Sequence, residues 1–214
     1  MRASVIFVLA MVGAGAMLAA NDVTARVNRA VAVLDSMIAG KGGVKAGQLA
    51  NADCVAVIPG FKKGAAVVGV GYGRGFISCR KDGGWSAPAA VTLESGSLGV
   101  QVGGEEIDIV VLSLDPSKRA KLLSERFAIG TDASAAWGNG KTAHEDNNAK
   151  ILFFGHTKGM FGGFGLDGAT LSRDESGDKA LYGNSASNGE IVNSGDTPAA
   201  AQPLIAKLSA ATKP

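Results

Sequence analysis

Apolar and polar positions recur along this chain with two different periods. Over residues 22–39, Val23, Val27, Ala30, Val31, Leu34, Met37 and Ile38 fall at i, i+4, i+7, i+8, i+11, i+14 and i+15. That spacing makes one helical stripe. Asn21 or Asp22 caps its start, and Gly40, Gly42 and Gly43 end it. Arg26 and Arg29 are placed off the stripe. The stripe reads as a core-facing helix over a sheet, with a membrane-surface helix as the alternative, although two arginines make a thin basic face for that task.

From Cys54 onward the period becomes two. Ala56–Ile58 is a short apolar strand followed by Pro59-Gly60. Gly69, Gly71, Gly73 and Gly75 then alternate with Val70, Tyr72, Arg74 and Phe76, so one face of that strand is bare backbone. Glycine inside a strand costs stability unless something lies close against it; the occupant is a packed element or a ligand chain. Arg80–Gly84 is a turn, Ala90–Leu93 a strand, Glu94–Ser97 a second turn and Leu98–Val102 another strand, which together make a meander. Ile107–Leu114 is a strong strand. Asp115-Pro116 supplies a cap and a first-turn proline for a short helix reaching about Ser124. Glu125–Ala136 reads as extended, 138–150 and Ser185–Pro198 as polar loops, and Leu204, Ile205 and Leu208 as a terminal helix. Cys54–Gly64 and Ala149–Gly159 echo one another, with Gly60 matching Gly155 and Lys63-Gly64 matching Lys158-Gly159. The echo is either a repeated unit or convergent turn chemistry.

These elements predict an α+β fold: a mainly antiparallel, barrel-like core of short Gly-rich strands with an N-terminal amphipathic helix, a short middle helix and a C-terminal helix. The chain has 214 residues, 46% of them apolar, enough for one core. Its 31 glycines against six prolines, with no Gly-X-Y period, favour a turn-rich β protein. Lys and Arg number 21 against 19 Asp and Glu, so no global charge argues for nucleic acid.

Met1–Ala20 reads as a secretory signal, with Arg2 as the positive region, an apolar run over Ala3–Val12 and small residues to Ala19-Ala20. Cleavage after Ala20 predicts a periplasmic or secreted single domain over residues 21–212. Retained, about 18 apolar residues nearly span a bilayer. Cys54 and Cys79 are the two cysteines. They are either two small buried thiols or one disulfide closing a loop of about 25 residues.

Catalytic signatures mostly fail. Gly163–Gly168 fits G-x-G-x-x-G but no helix pattern follows it. Gly140-Lys-Thr142 has Ala135 where a phosphate loop needs glycine, and Ser95–Gly99 lacks the first glycine of a nucleophile elbow. His144 and His156 lie in no metal-spaced cluster. Asp132 is the best candidate for a buried, hydrogen-bonded carboxylate. No catalytic residue, metal or cofactor is expected.

Several motifs in order carry a family resemblance: the Gly-alternating strand, Arg80–Pro88, Gly130-Thr-Asp-Ala-Ser134, Leu181-Tyr-Gly183 and Ala201-Gln-Pro-Leu204. Together they resemble the SYLF domain, also called the Ysc84 or Las17-binding-protein domain. The resemblance implies a lipid-binding module, since eukaryotic members bind phosphoinositides and other acidic lipids, and some bind actin. An exported chain is not expected to meet actin, and a phosphatidylglycerol- or cardiolipin-like lipid is the better ligand. Under this reading Lys62, Lys63, Arg74, Arg80, Lys81 and Lys158 are the head-group candidates, with Phe61 and Trp85 as membrane-facing aromatics. The alternative is a structural or protein-interaction module of the cell envelope, with an envelope protein as partner.

Overall fold

A computed structural model describes residues 3–40, 43–65, 69–97, 105–129, 135–137, 151–157 and 168–212. Among them, helix α1 (Ala3–Ala39) and the short α2 (Ala46–Ala50) precede strands β1 (Cys54–Ala65), β2 (Gly69–Lys81), β3 (Gly84–Trp85), β4 (Ala89–Ser97) and β5 (Glu105–Ser113). A 3-10 turn (Pro116–Lys118), α3 (Arg119–Leu122), β6 (Arg126–Ala128), β7 (Ala135–Trp137), β8 (Ile151–Thr157) and β9 (Thr170–Arg173) follow. Helices α4 (Glu175–Tyr182), α5 (Asn188–Ser194) and α6 (Gln202–Ala211) complete the body. The strands form one sheet in the order β6-β9-β4-β2-β1-β5-β8-β7, with β3 hairpinned onto β2. The described neighbours are antiparallel except β7 and β8. This is the α+β, barrel-like sheet that the strand pattern predicts, a half-barrel whose outermost strands among the described residues are β6 and β7.

Each face of the sheet carries a buried apolar cluster. Cys54, Ala56 and Ile58 of β1 join one apolar cluster with Ile77, Ile109, Val111, Phe127 and Phe153. Val55 and Val57, of opposite parity, join the other, beneath α1, α2, α4 and α6. On α1, Val23, Val27, Ala30, Leu34 and Met37 are buried, and Val31 and Ile38 pack against them. Each fully buried Val or Leu contributes about 1.5–3 kcal/mol, so this stripe is a core element. One assignment changes: Arg26 lies on the stripe and is 4% exposed, whereas Arg29 is exposed.

Three further expectations are corrected. Pro59-Gly60 does not end a strand. β1 continues to Ala65 through a bulge, where the register against β2 shifts between Val57 and Lys62. The Gly60 amide at that bulge donates to Asp108 Oδ1 at 2.9 Å. Glu94–Ser97 is no turn but the end of β4, paired with Gly69–Tyr72. Ser185–Pro198 is not simply a loop: it contains α5, whose capping box joins Ser187 and Glu190. The Asp82-Gly83 turn between β2 and β3 has positive φ at both residues, the two-residue hairpin geometry that Asp-Gly favours. The echoed segments Cys54–Gly64 and Ala149–Gly159 contribute β1 and β8, which flank β5 on opposite sides.

The bare face of β2 is filled from within the chain. A Cβ on Gly73 would lie 2.6 Å from Ile58 Cγ2 and 2.9 Å from Phe61 Cδ2, and one on Gly75 would land on the Val57 carbonyl. The glycines therefore let the bulged β1 press against β2, and packing, not a ligand chain, occupies that face. Cys54 and Cys79 stand opposite one another in the β1–β2 register and their sulfurs are bonded.

Candidate functional site

The helix-covered face carries a charged knot that the sequence did not single out. Asp174 precedes α4 and caps it, accepting from the Gly177 amide at 3.0 Å. The same carboxylate accepts from Arg74 Nε and an Arg74 Nη, each at 2.7 Å, and from an Arg26 Nη at 2.9 Å. Arg26 also reaches Asp22 at 2.8 Å, one turn earlier on α1. Burial opposes the Asp174 charge, but the bonds from Arg74, Gly177 and Ser176 outweigh it and hold the carboxyl below its ordinary range. One side chain thus ties α1, β2 and α4 together.

A turn further along α4, Asp178 is fully buried. Its Oδ1 accepts from the Ala90 amide at 2.6 Å, while Oδ2 has no hydrogen bond and lies 3.6 Å from Arg173 Nε. Burial pushes this carboxyl up to about 7, against the opposing pull of the Ala90 amide and the Arg173 charge. Asp53 is likewise buried and pairs with Arg119. Asp132, the carboxylate favoured from sequence, lies outside the described residues, as do Lys158 and the Gly130–Ser134 motif.

The predicted head-group residues do not assemble into one basic surface. Phe61 is fully buried and Trp85 is 8% exposed, so their assignment as membrane-facing aromatics is corrected. The β1 bulge turns Phe61 onto the glycine face. Trp85 donates through Nε1 to Thr212 Oγ1 at 3.1 Å, beneath an Arg80 guanidinium 4.1 Å from its ring centre. Arg80 further donates to the carbonyls of Leu49, Ala50 and Ala52. Arg74 is committed to Asp174, and Lys81 Nζ donates to the Asn193 carbonyl at 2.7 Å. These three cations therefore hold the body together. Lys63 lies in β1 beside Lys62, but its side chain is outside the described set.

Lys62 is different, because it stays exposed. It stands opposite Tyr72, which is 49% exposed and is the large apolar side chain most open to solvent among the described residues. Cross-strand partners point to the same side. Glu94 and Glu106, each exposed, continue the row on either flank. The direction of α1 relates it to this row. Arg26 lies over Phe76 at 5.9 Å, and Asp22, one turn earlier, acts on Arg74. Going towards its N-terminus, α1 thus runs along β2 towards Tyr72. The N-terminal end of its buried stripe therefore lies towards the Lys62–Tyr72 pair, with Val23 its first buried residue among those described.

Among the described residues no group of three or more His, Cys, Asp or Glu side chains is placed to hold a metal. Helices α4 and α5 were missed from sequence although both carry legible signals: Ser187-x-x-Glu190 is a capping box, and Gly183 and Gly195 end the two helices in left-handed conformations.

Residues 94–211 match the family model Ysc84, described as "Las17-binding protein actin regulator". Among similar proteins, an SH3 domain-containing protein of Schizosaccharomyces pombe, PJ696.02, is 31% identical over 173 residues, covering 75% of this chain and 40% of that protein. Protein YSC84 of Saccharomyces cerevisiae is 28% identical over 186 residues, covering 76% and 39%. The human SH3 domain-containing YSC84-like protein 1 is 28% identical over 161 residues, covering 72% and 46%. The chain thus spans less than half the length of these relatives. No solved structure matches it. The description of the matched family names a protein partner and actin, which sits against the expectation that actin plays no part.

Proposed function

The chain belongs to the Ysc84 family, and from that premise we propose that it is an exported, non-catalytic module that meets an anionic phospholipid surface with the sheet end carrying Lys62 and Tyr72. The observation that carries this reading is the course of α1. Over its described side chains α1 runs along β2 towards that end, and Val23 is the first of them to be buried. With residues 1–20 acting as the export signal, that end is the one that faces the membrane. Tyrosine suits the interface, with an apolar ring and a polar tip, and an exposed lysine near an anionic surface contributes about 1 kcal/mol. The bonded Cys54–Cys79 pair supports an oxidising compartment.

The test is cosedimentation of residues 21–214 with phosphatidylglycerol-containing vesicles and with neutral phosphatidylcholine vesicles. Binding to the anionic vesicles is expected, weakened by about fivefold or more by Lys62→Glu and weakened by Tyr72→Ala. Lys179→Glu, on the exposed side of α4, is expected to leave it unchanged. Equal binding by wild type and Lys62→Glu overturns the assignment. A second reading, a protein-partner module, is favoured by the family's description as a Las17-binding actin regulator. Cosedimentation with actin filaments in the absence of vesicles supports it.

A further inference from the structure

Helices α4 and α5 and the segment after them enclose an open groove of about 530 Å³. Its floor is apolar, made by Leu181, Tyr182, Ile191 and Pro198, and its rim carries Glu190 and Asp196, both exposed. No Lys or Arg is among the lining residues. Two cations lie nearby and both bond backbone carbonyls: Lys81 that of Asn193, and Arg173, whose charge also acts on Glu190, those of Ser185 and Ala186. The Tyr182 hydroxyl donates to the Pro88 carbonyl at 2.8 Å, which fixes the ring as part of the floor. Glu190 is fixed as well. Its Oε2 accepts from the Ser187 amide and hydroxyl, each at 2.8 Å, and these bonds hold the carboxyl below its ordinary range.

We infer that this groove is a docking site for a short segment of a protein partner that carries a Lys or Arg beside apolar side chains. Charge complementarity selects that occupant. No cation is among the lining residues and the two nearby ones are turned to backbone carbonyls, so the exposed carboxylates of Glu190 and Asp196 are the charges an incoming segment meets. The volume lies in the range of pockets that seat a few side chains. The site lies away from the Lys62–Tyr72 row and does not depend on the membrane reading. Its walls are preformed, because α4 is capped by Asp174 and α5 by its own capping box, so docking requires little ordering of the groove.

Panning a random peptide library against the folded protein tests this directly, followed by amide chemical-shift mapping with the enriched peptide. Enriched peptides are expected to pair Lys or Arg with Leu, Ile, Val or an aromatic residue, and to shift Leu181, Ile191 and Ser194. Glu190→Gln with Asp196→Asn removes both charges while glutamine keeps the capping bond. That double variant is expected to lose at least tenfold in affinity, whereas Lys62→Glu loses none. The proposal is overturned if nothing is enriched, if acidic peptides are enriched, if shifts map elsewhere or if the double variant binds equally well. Concentration-dependent dimerisation abolished by the double variant also overturns it, assigning the groove to a second copy of the chain.

Discussion

Asp178 shows how much a single atom's surroundings decide. Its carboxyl is buried, one oxygen holds the Ala90 amide, and the other faces Arg173 without a hydrogen bond. Arg173 also lies 3.5 Å from Glu125, and Asp174, one turn back, adds a repelling charge. The folded-state value of about 7 lies above the ordinary carboxyl value of 3.8. Between those values the folded state holds the proton more tightly, so this group's contribution to stability is full below about pH 4 and is lost as pH rises towards 7. The slope reaches at most about 1.4 kcal/mol per pH unit. Asp178→Asn keeps an acceptor for Ala90 and is expected to flatten that part of the stability profile, measured by urea unfolding between pH 4 and 8. An unchanged slope shows that another group titrates there. None of this was legible in the sequence. Asp178 sits in a polar stretch among Glu175, Ser176 and Lys179, and only the approach of β4 buries it. Phe61 and Trp85 were misjudged for the same reason. Phe61 stands beside Lys62 and Lys63 and Trp85 follows the polar turn Arg80–Gly84, but Arg80 covers Trp85, and a one-residue bulge places Phe61 on the same side as Ile58.

At the scale of elements, the β1–β2 pair depends on the absence of side chains. Gly73→Ala gains about 0.4–1 kcal/mol from the unfolded state but places a methyl within 2.6 Å of Ile58 and 2.9 Å of Phe61. Overpacking of that kind costs about 1–3 kcal/mol, so net destabilisation is expected in chemical denaturation. Combining it with Phe61→Ala is expected to give less than the sum of the two losses, because both act on one contact. Strict additivity places the strain elsewhere. The glycine alternation was plain in the sequence, and so was the helical stripe of α1, since both repeat over long enough windows to have a period. Helices α4 and α5 span eight and seven residues, too short for periodicity to emerge. Their caps were the available signal. The β1 bulge hid half a strand because Pro59-Gly60 reads as a break when no partner strand is in view.

The whole molecule is held across its layers by Asp174. Asp174→Ala leaves Arg26 buried with the exposed Asp22 as its remaining acidic partner, and breaking a buried pair costs about 3–5 kcal/mol. Asp174→Asn keeps the cap of α4, worth about 1 kcal/mol, and is expected to lose less than alanine but more than the cap alone. Loss of amide-exchange protection over residues 23–37 is expected in both variants, since α1 loses its tie to β2 and α4. Protection as in the wild type shows that the apolar stripe suffices. The barrel-like α+β class and the family resemblance were readable at this scale. The layering was not, because the acid that joins α1 to β2 comes from a segment 148 residues further on than Arg26. The bonded cysteines have a separate consequence. They join β1 to β2 at the far end from the segment between Ala65 and Gly69. A protease nick in that segment therefore leaves two covalently joined pieces, which migrate as one band in non-reducing electrophoresis and part only when a reductant is added.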